Sequence, residues 1–132
     1  MKNYFILCFV FVAFSCNSQT KKETTAIEDV SVEKFQKMIS KKGAQLVDVR
    51  TPDEYKAGHL EKAKLINIFD KDFTEQSLKL LDKDKPVYVY CRSGGRSANA
   101  AKIYEKAGFK KVYNLVGGYG AWSAKNQKIV KE

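Results

Sequence analysis

Pro86-Val87-Tyr88-Val89-Tyr90-Cys91-Arg92-Ser93-Gly94-Gly95-Arg96-Ser97 is an apolar run that ends in a cysteine, followed by six polar or flexible residues. A helical pattern starts at Ser97, with Ala98, Ala101, Ile103 and Tyr104 available for packing and Gly108 to end it. The apolar run shows no polar alternation, as expected of a strand buried on both faces of a parallel sheet. A strand that feeds a helix through a glycine loop places that loop at the carboxyl edge of the sheet. Open α/β sheets bind their ligands at that edge.

The same reading extends along the chain in both directions. Ser31 is a candidate N-cap for a helix with Phe35, Met38 and Ile39 on one stripe, closed by Gly43. Leu46-Val47-Asp48-Val49 reads as a buried strand and is followed by Arg50. Thr51-Pro52-Asp53-Glu54 carries a cap, a proline at the first helical position and the glutamate of a capping box, and Gly58 stops that helix. Leu65 to Ile68 reads as a short strand. Asp72 and Glu75 suggest a second capping box before Leu78, Leu80 and Leu81. Lys111 to Leu115 is the last strand, Gly117-Gly118 turns the chain, and Tyr119 to about Lys128 forms a closing helix around Trp122. Alternating strands and helices define an α/β fold, with a mainly parallel central sheet covered by helices on both faces.

The chain has 132 residues, the size of one domain. Its formal charge is +9, and all but three of its 24 basic side chains are lysine. The lysines are scattered and read as a solvated surface, with no basic helix or aromatic platform for nucleic acid. The three arginines, Arg50, Arg92 and Arg96, stand at strand ends or in the glycine loop. A planar donor fork is useful in both places.

Residues 1–15 read as an export signal: a positive start at Lys2, an apolar run from Tyr4 to Phe14, then Ser15. Val12-Ala13-Phe14-Ser15-Cys16 resembles a bacterial lipoprotein box, although such boxes prefer a small or aliphatic residue where Phe14 stands. That resemblance implies lipidation of Cys16 and a membrane-anchored protein facing the periplasm or the cell exterior. An ordinary cleaved signal or an uncleaved short anchor is the alternative. Residues 16–26 then form a polar tether, and residues 27–132 form the domain. With Cys8 removed and Cys16 capped, Cys91 is left without an intrachain disulfide partner.

The loop has a definite chemistry. Gly94 and Gly95 permit positive φ, so the backbone can curl and turn successive N–H groups inward as an anion nest. The helix that follows adds the positive end of its dipole, and Arg92 and Arg96 add full charges. Such settings bring a cysteine pKa from about 8.5 into the range of roughly 3.5 to 7.5.

Cys91-Arg92-Ser93-Gly94-Gly95-Arg96-Ser97 resembles the active loop of the single-domain rhodaneses, which are thiosulfate-type sulfurtransferases. Further matches follow in order. Asp48-Val49-Arg50 resembles the family's first strand motif, and Glu54-Tyr55-x-x-Gly58-His59-Leu60 its Glu-(Phe/Tyr)-x-x-Gly-His-Ile segment. Asn67-Ile68 is similar to its Asn-Ile, and Gly117-Gly118-Tyr119-Gly120-Ala121-Trp122 to its terminal Gly-Gly-x-x-Ala-Trp. The resemblance covers residues 27 to 127 and implies a rhodanese-like three-layer fold. It also implies a sulfurtransferase in which Cys91 takes sulfur from a thiosulfate-like donor as a persulfide and passes it to a thiol or cyanide. Arg92, Ser93, Gly94, Gly95, Arg96 and Ser97 would bind the anionic substrate, with Asp48 and Arg50 in support. No metal or cofactor is expected, and the protein is expected to act as a monomer on a small donor and a thiol acceptor.

Other readings compete at particular residues. Cys91 could be an inert core cysteine, a reading that its arginines and glycines oppose. Arg96 could pair with a carboxylate under the loop rather than touch substrate. Asp48 and Arg50 read as architectural, Glu54 as a helix cap and His59 as a structural hydrogen bonder. Tyr119 and Trp122 read as core residues that could also rim a pocket. A phosphatase of the cysteine-loop type would have five residues between its cysteine and its arginine. Only four separate Cys91 from Arg96, which makes a smaller ring. A membrane-tethered persulfide carrier or protein-binding module without turnover is the functional alternative.

Overall fold

The computed structural model describes residues 25–132. The signal segment, Cys16 and most of the tether lie outside the described residues. No helix among those described is long and apolar enough to cross a membrane.

Five parallel strands form the central sheet: β1 (Ala26–Val30), β2 (Gln45–Asp48), β4 (Lys64–Leu65), β5 (Val87–Tyr90) and β6 (Lys111–Leu115), in the order β1-β6-β5-β2-β4. Five helices accompany them among the described residues: α1 (Val32–Ile39), α2 (Pro52–Ala57), α3 (Phe73–Leu80) and α4 (Gly95–Lys106) between the strands, and α5 (Gly118–Ala124) after β6. Alternate residues of the central strands feed two cores. Val47, Val49, Val87, Val89 and Cys91 pack with Phe73 of α3 and with Ala100, Ala101 and Tyr104 of α4. Leu46, Tyr88 and Tyr90 pack with Phe35 of α1 and Trp122 of α5. Phe35 meets Tyr88 edge-on at 6.1 Å and Trp122 at 6.4 Å. Both faces of β5 are thus buried, which is why its sequence is apolar throughout.

Several elements differ from the sequence expectation. β1 begins at Ala26, which the sequence assigns to the tether, and Thr25 donates its hydroxyl hydrogen to the Phe109 carbonyl. β1 pairs in parallel register with β6, from Ala26 opposite Lys111 to Val30 opposite Leu115. The strand expected over residues 65–68 is instead Lys64–Leu65, although the Ile66 and Ile68 amides still bond the Asp48 and Val49 carbonyls at 2.9 and 3.1 Å. α1 ends at Ile39, with Gly43 four residues beyond at φ 79°. Asp72 stands before α3 without a side-chain cap, and its carboxylate accepts instead from Nε2 of the Gln76 side chain at 2.7 Å. α4 starts at Gly95, two residues before Ser97. α5 stops at Ala124, and the chain then forms β7 (Ile129–Val130), antiparallel to β3 (His59–Leu60). The capping box at Thr51 is present as expected, with Thr51 Oγ1 and Glu54 Oε2 each accepting from the other's backbone amide.

Candidate active site

Cys91 is the first residue after β5, at the carboxyl edge of the sheet, and is only 1% exposed. Its sulfur is nonetheless polar in its surroundings. The Gly94 amide lies 3.1 Å from Sγ and the Ser97 hydroxyl 3.3 Å. Burial pushes the thiol up. The Ser97 hydroxyl and the amides of Ser97, Gly94 and Ser93 pull it down by more, so it ends below the ordinary thiol value. An apolar core residue would have burial without the donors. Cys91 has both, and the donors prevail.

The loop curls because Gly94 adopts φ 106°, a left-handed conformation that side chains resist. Gly95 does not share that conformation. It is the first residue of α4, with open space where a β-carbon would stand. The sequence reading lets both glycines take positive φ, and only Gly94 does so.

The outer wall of the loop comes from α5. The Tyr119 amide donates to the Cys91 carbonyl at 2.8 Å, and the Gly120 amide donates to the Arg92 carbonyl at 3.0 Å. In a trans peptide the C=O and N–H point in opposite directions. Drawing the Arg92 carbonyl outward therefore turns the Ser93 amide toward the sulfur. Gly118 makes the approach possible, since a β-carbon there would fall 2.4 Å from the Cys91 oxygen. Sequence reasoning read Gly117-Gly118 as a turn and as part of the terminal family motif, and gave the pair no part in shaping the loop. The signal that could have located this seat was the Gly-Gly pair placed after the last parallel strand, where the active loop is also built.

The arginines divide. Arg96 is not aimed at the sulfur. Its two terminal nitrogens hold the Glu54 carboxylate in a bidentate pair, at 2.8 Å each. Glu54 is therefore more than a cap. The Arg96 hydrogen bonds carry its pKa down to about 2, so it stays charged. Arg92 is exposed and makes no ion pair among the described residues. It lines a cavity beside the loop.

Asp48 and Arg50 form a buried pair under the site. Arg50 Nη2 lies 2.7 Å from Asp48 Oδ2 and 2.6 Å from the Gly58 carbonyl. Tyr90 donates its hydroxyl hydrogen to Asp48 at 2.6 Å and accepts from the Leu60 amide at 3.0 Å. Burial, then the Asp48 charge, pushes the Tyr90 hydroxyl far up, so it stays a neutral donor. This network fixes β2, β3 and β5 to one another. His59 stacks on Tyr55 with ring centres 3.7 Å apart, and its Nδ1 lies 2.9 Å from the Tyr55 carbonyl. Trp122 packs in the core, while Tyr119 lines the cavity beside the loop.

Comparison with known proteins agrees with this geometry. A family model for the rhodanese-like domain matches residues 31–125. Thiosulfate sulfurtransferase 18 of Arabidopsis thaliana is 40% identical over 119 residues, covering 82% of this chain and 85% of that protein. Thiosulfate sulfurtransferase GlpE of Coxiella burnetii is 34% identical over 88 residues, covering 66% of this chain and 78% of its own. The crystal structure of a rhodanese-like domain protein from Staphylococcus aureus superposes with TM-score 0.66 at 29% identity, covering 80% of this chain and 98% of that one. The chain belongs to the rhodanese-like family.

Proposed function

We propose that the protein is a sulfurtransferase that works through a persulfide on Cys91. The observation that carries this reading is the pair of donors on Sγ, the Gly94 amide at 3.1 Å and the Ser97 hydroxyl at 3.3 Å. They stabilise a thiolate, and the same donors suit the anionic sulfur that develops during transfer. The thiolate attacks the outer sulfur of a thiosulfate-like donor. A new S–S bond forms at Cys91, and sulfite leaves with the electron pair of the broken bond. A thiol or cyanide then attacks the outer sulfur, and the Cys91 thiolate is released.

In this reading Gly94, Ser97 and the Ser93 amide stabilise the sulfur, α5 holds the loop in shape, and Arg92 adds positive charge at the surface beside the loop. Arg96, Asp48 and Arg50 position the loop and its neighbours. Incubation with thiosulfate followed by intact mass measurement tests the first half-reaction: the protein gains one sulfur atom, and Cys91→Ser gains none. Thiocyanate release with cyanide tests the second. Loading without discharge to any acceptor would favour a sulfur carrier over an enzyme, and absence of loading would end the persulfide reading.

We also propose that the protein is exported and tethered through a lipid on Cys16, on the strength of the Met1–Cys16 pattern. Cys16→Ser should move it from the membrane fraction to the soluble fraction. Retention of that variant in the membrane would point to the uncleaved apolar run as the anchor.

A further inference from the structure

A cavity of about 320 Å³ lies between α2 and α5, beside the Cys91 loop. Arg50 lines it while only 3% exposed. Its Nε and Nη2 are engaged with Asp48 and the Gly58 carbonyl, whereas its Nη1 holds no hydrogen bond among the described residues. Nη1 is not sealed away, since Asn114 Oδ1 is the one fully buried side-chain oxygen or nitrogen left unpartnered among the described residues, and Arg50 lines the cavity. The Tyr119 ring lies 4.3 Å from the guanidinium carbon and covers the group. Arg92 lines the same cavity. The other nearby charges cancel in pairs, Asp48 with Arg50 and Glu54 with Arg96. One positive charge, that of Arg92, is left over. A monoanion balances it, and a planar two-oxygen group matches guanidinium edges.

Cys91 does not line this cavity. The carbonyls of Cys91 and Arg92 face α5, so an anion held there sits beside the loop rather than on the sulfur. In thiosulfate the transferred sulfur and the oxygens share one central atom. A donor that delivers sulfur to Cys91 therefore keeps its oxygens at Cys91. A ligand with a short carbon chain between sulfur and anion can occupy both places.

We propose that this cavity is a carboxylate subsite for the acceptor, a small thiol whose carboxylate is held by Arg50 Nη1 and Arg92 while its sulfur attacks at Cys91. The proposal rests on the persulfide reading. The acceptor's thiolate forms a bond to the outer sulfur, and the bond from that sulfur to Cys91 Sγ breaks. The electron pair returns to Cys91, and the acceptor's proton goes to solvent. No oxidant is consumed.

The test starts from full-length protein loaded by thiosulfate and verified by mass. Discharge is followed with 3-mercaptopropionate and with 2-mercaptoethanol, at matched thiolate concentrations. The carboxylate-bearing thiol should discharge about tenfold faster, the scale of one charge-assisted contact. Propionate, which has no thiol, should slow discharge to mercaptopropionate and leave discharge to mercaptoethanol alone. Ala57 is the exposed last residue of α2, at the cavity rim. Ala57→Glu places a tethered carboxylate there and should erase the preference without changing loading, while Ala57→Gln should keep it. Equal discharge by the two thiols overturns the proposal. So does propionate slowing thiosulfate loading as much as discharge, since the cavity would then serve the donor's oxyanion. If no sulfur loads at all, the persulfide reading itself has failed, and the proposal falls with it.

Discussion

Gly118 sits so close to Cys91 that a β-carbon would come 2.4 Å from the Cys91 carbonyl oxygen and 2.8 Å from the Arg92 carbonyl. The closing helix therefore acts as the mould of the active loop. Gly118 also holds φ 56°, so any side chain there is strained twice over. Gly118→Ala should push α5 off the loop, break the Tyr119 and Gly120 hydrogen bonds and turn the Ser93 amide away from the sulfur. Sulfur loading from thiosulfate should fall about a hundredfold, the scale of losing one preorganised donor. Stability should fall by about 1–3 kcal/mol, as in other overpacked sites. A time course of intact mass and a urea melt measure the two. Unchanged loading would show that α5 does not shape the loop.

The two loop glycines should respond in opposite ways. Gly94 holds φ 106°, and its hypothetical β-carbon meets only ordinary contacts at 3.6 and 3.8 Å. Its difficulty is backbone strain alone. Gly94→Ala should cost about 1–2 kcal/mol and displace the amide that faces the sulfur. Gly95 has helical backbone and open space around it. Gly95→Ala should raise stability by about 0.5–1 kcal/mol, because alanine loses less entropy on entering a helix. Comparing urea midpoints for the pair checks this, and equal destabilisation would mean that the two share one conformation.

How much of this was legible beforehand follows the range of the interactions. β2, β5 and β6 are continuous apolar runs because both of their faces are covered, and the Thr51–Glu54 capping box is a contact between near neighbours. Those could be read directly. β1 could not, because it is an edge strand with Glu28 and Asp29 in its middle and no polar–apolar rhythm. β3 and β7 are two residues each and exist only because distant segments meet. The cysteine, the glycine curl and the helix start all lie within seven residues, so the sulfur's donors were foreseeable. The partner of Arg96 was not, since Glu54 stands 42 residues away and was already explained as a cap.

The Ser97 hydroxyl contributes most to lowering the Cys91 thiol against the larger opposing effect of burial alone. Ser97→Ala removes that hydroxyl from a fully buried position and leaves little empty space. The midpoint of iodoacetamide alkylation against pH should move upward in this variant, and sulfur loading should need a higher pH to reach its plateau. The sign carries into stability. A thiol lowered in the folded state adds stability above its unfolded value of about 8.5, and this is lost as pH falls through the folded value. Cys91→Ser should flatten the stability profile across that window. An unmoved alkylation midpoint in Ser97→Ala would leave the backbone amides as the only agents.

Arg96 and Glu54 should behave as one unit. Their bidentate pair joins the start of α4 to the first turn of α2, and Phe69 lies 5.8 Å from the guanidinium. Glu54→Gln keeps a side chain able to complete the capping box but removes the charge. The pair is partly exposed, so screening limits the cost to about 1 kcal/mol. With Glu54 held near 2 against an ordinary 4.5, its contribution is complete above about pH 4.5 and fades as pH falls toward 2. Glu54→Gln should remove that limb of the acid profile. If Arg96 acts through Glu54, Arg96→Ala and Glu54→Gln should each slow sulfur loading, and the double variant should be no slower than the worse single. If the guanidinium instead held the donor's oxyanion directly, the two losses would multiply. Arg96→Ala would then raise the thiosulfate KM in a way that Glu54→Gln does not. The geometry favours the first outcome, because both terminal nitrogens of Arg96 already carry a carboxylate oxygen and the hydrogen bonds found at Sγ come from Gly94 and Ser97.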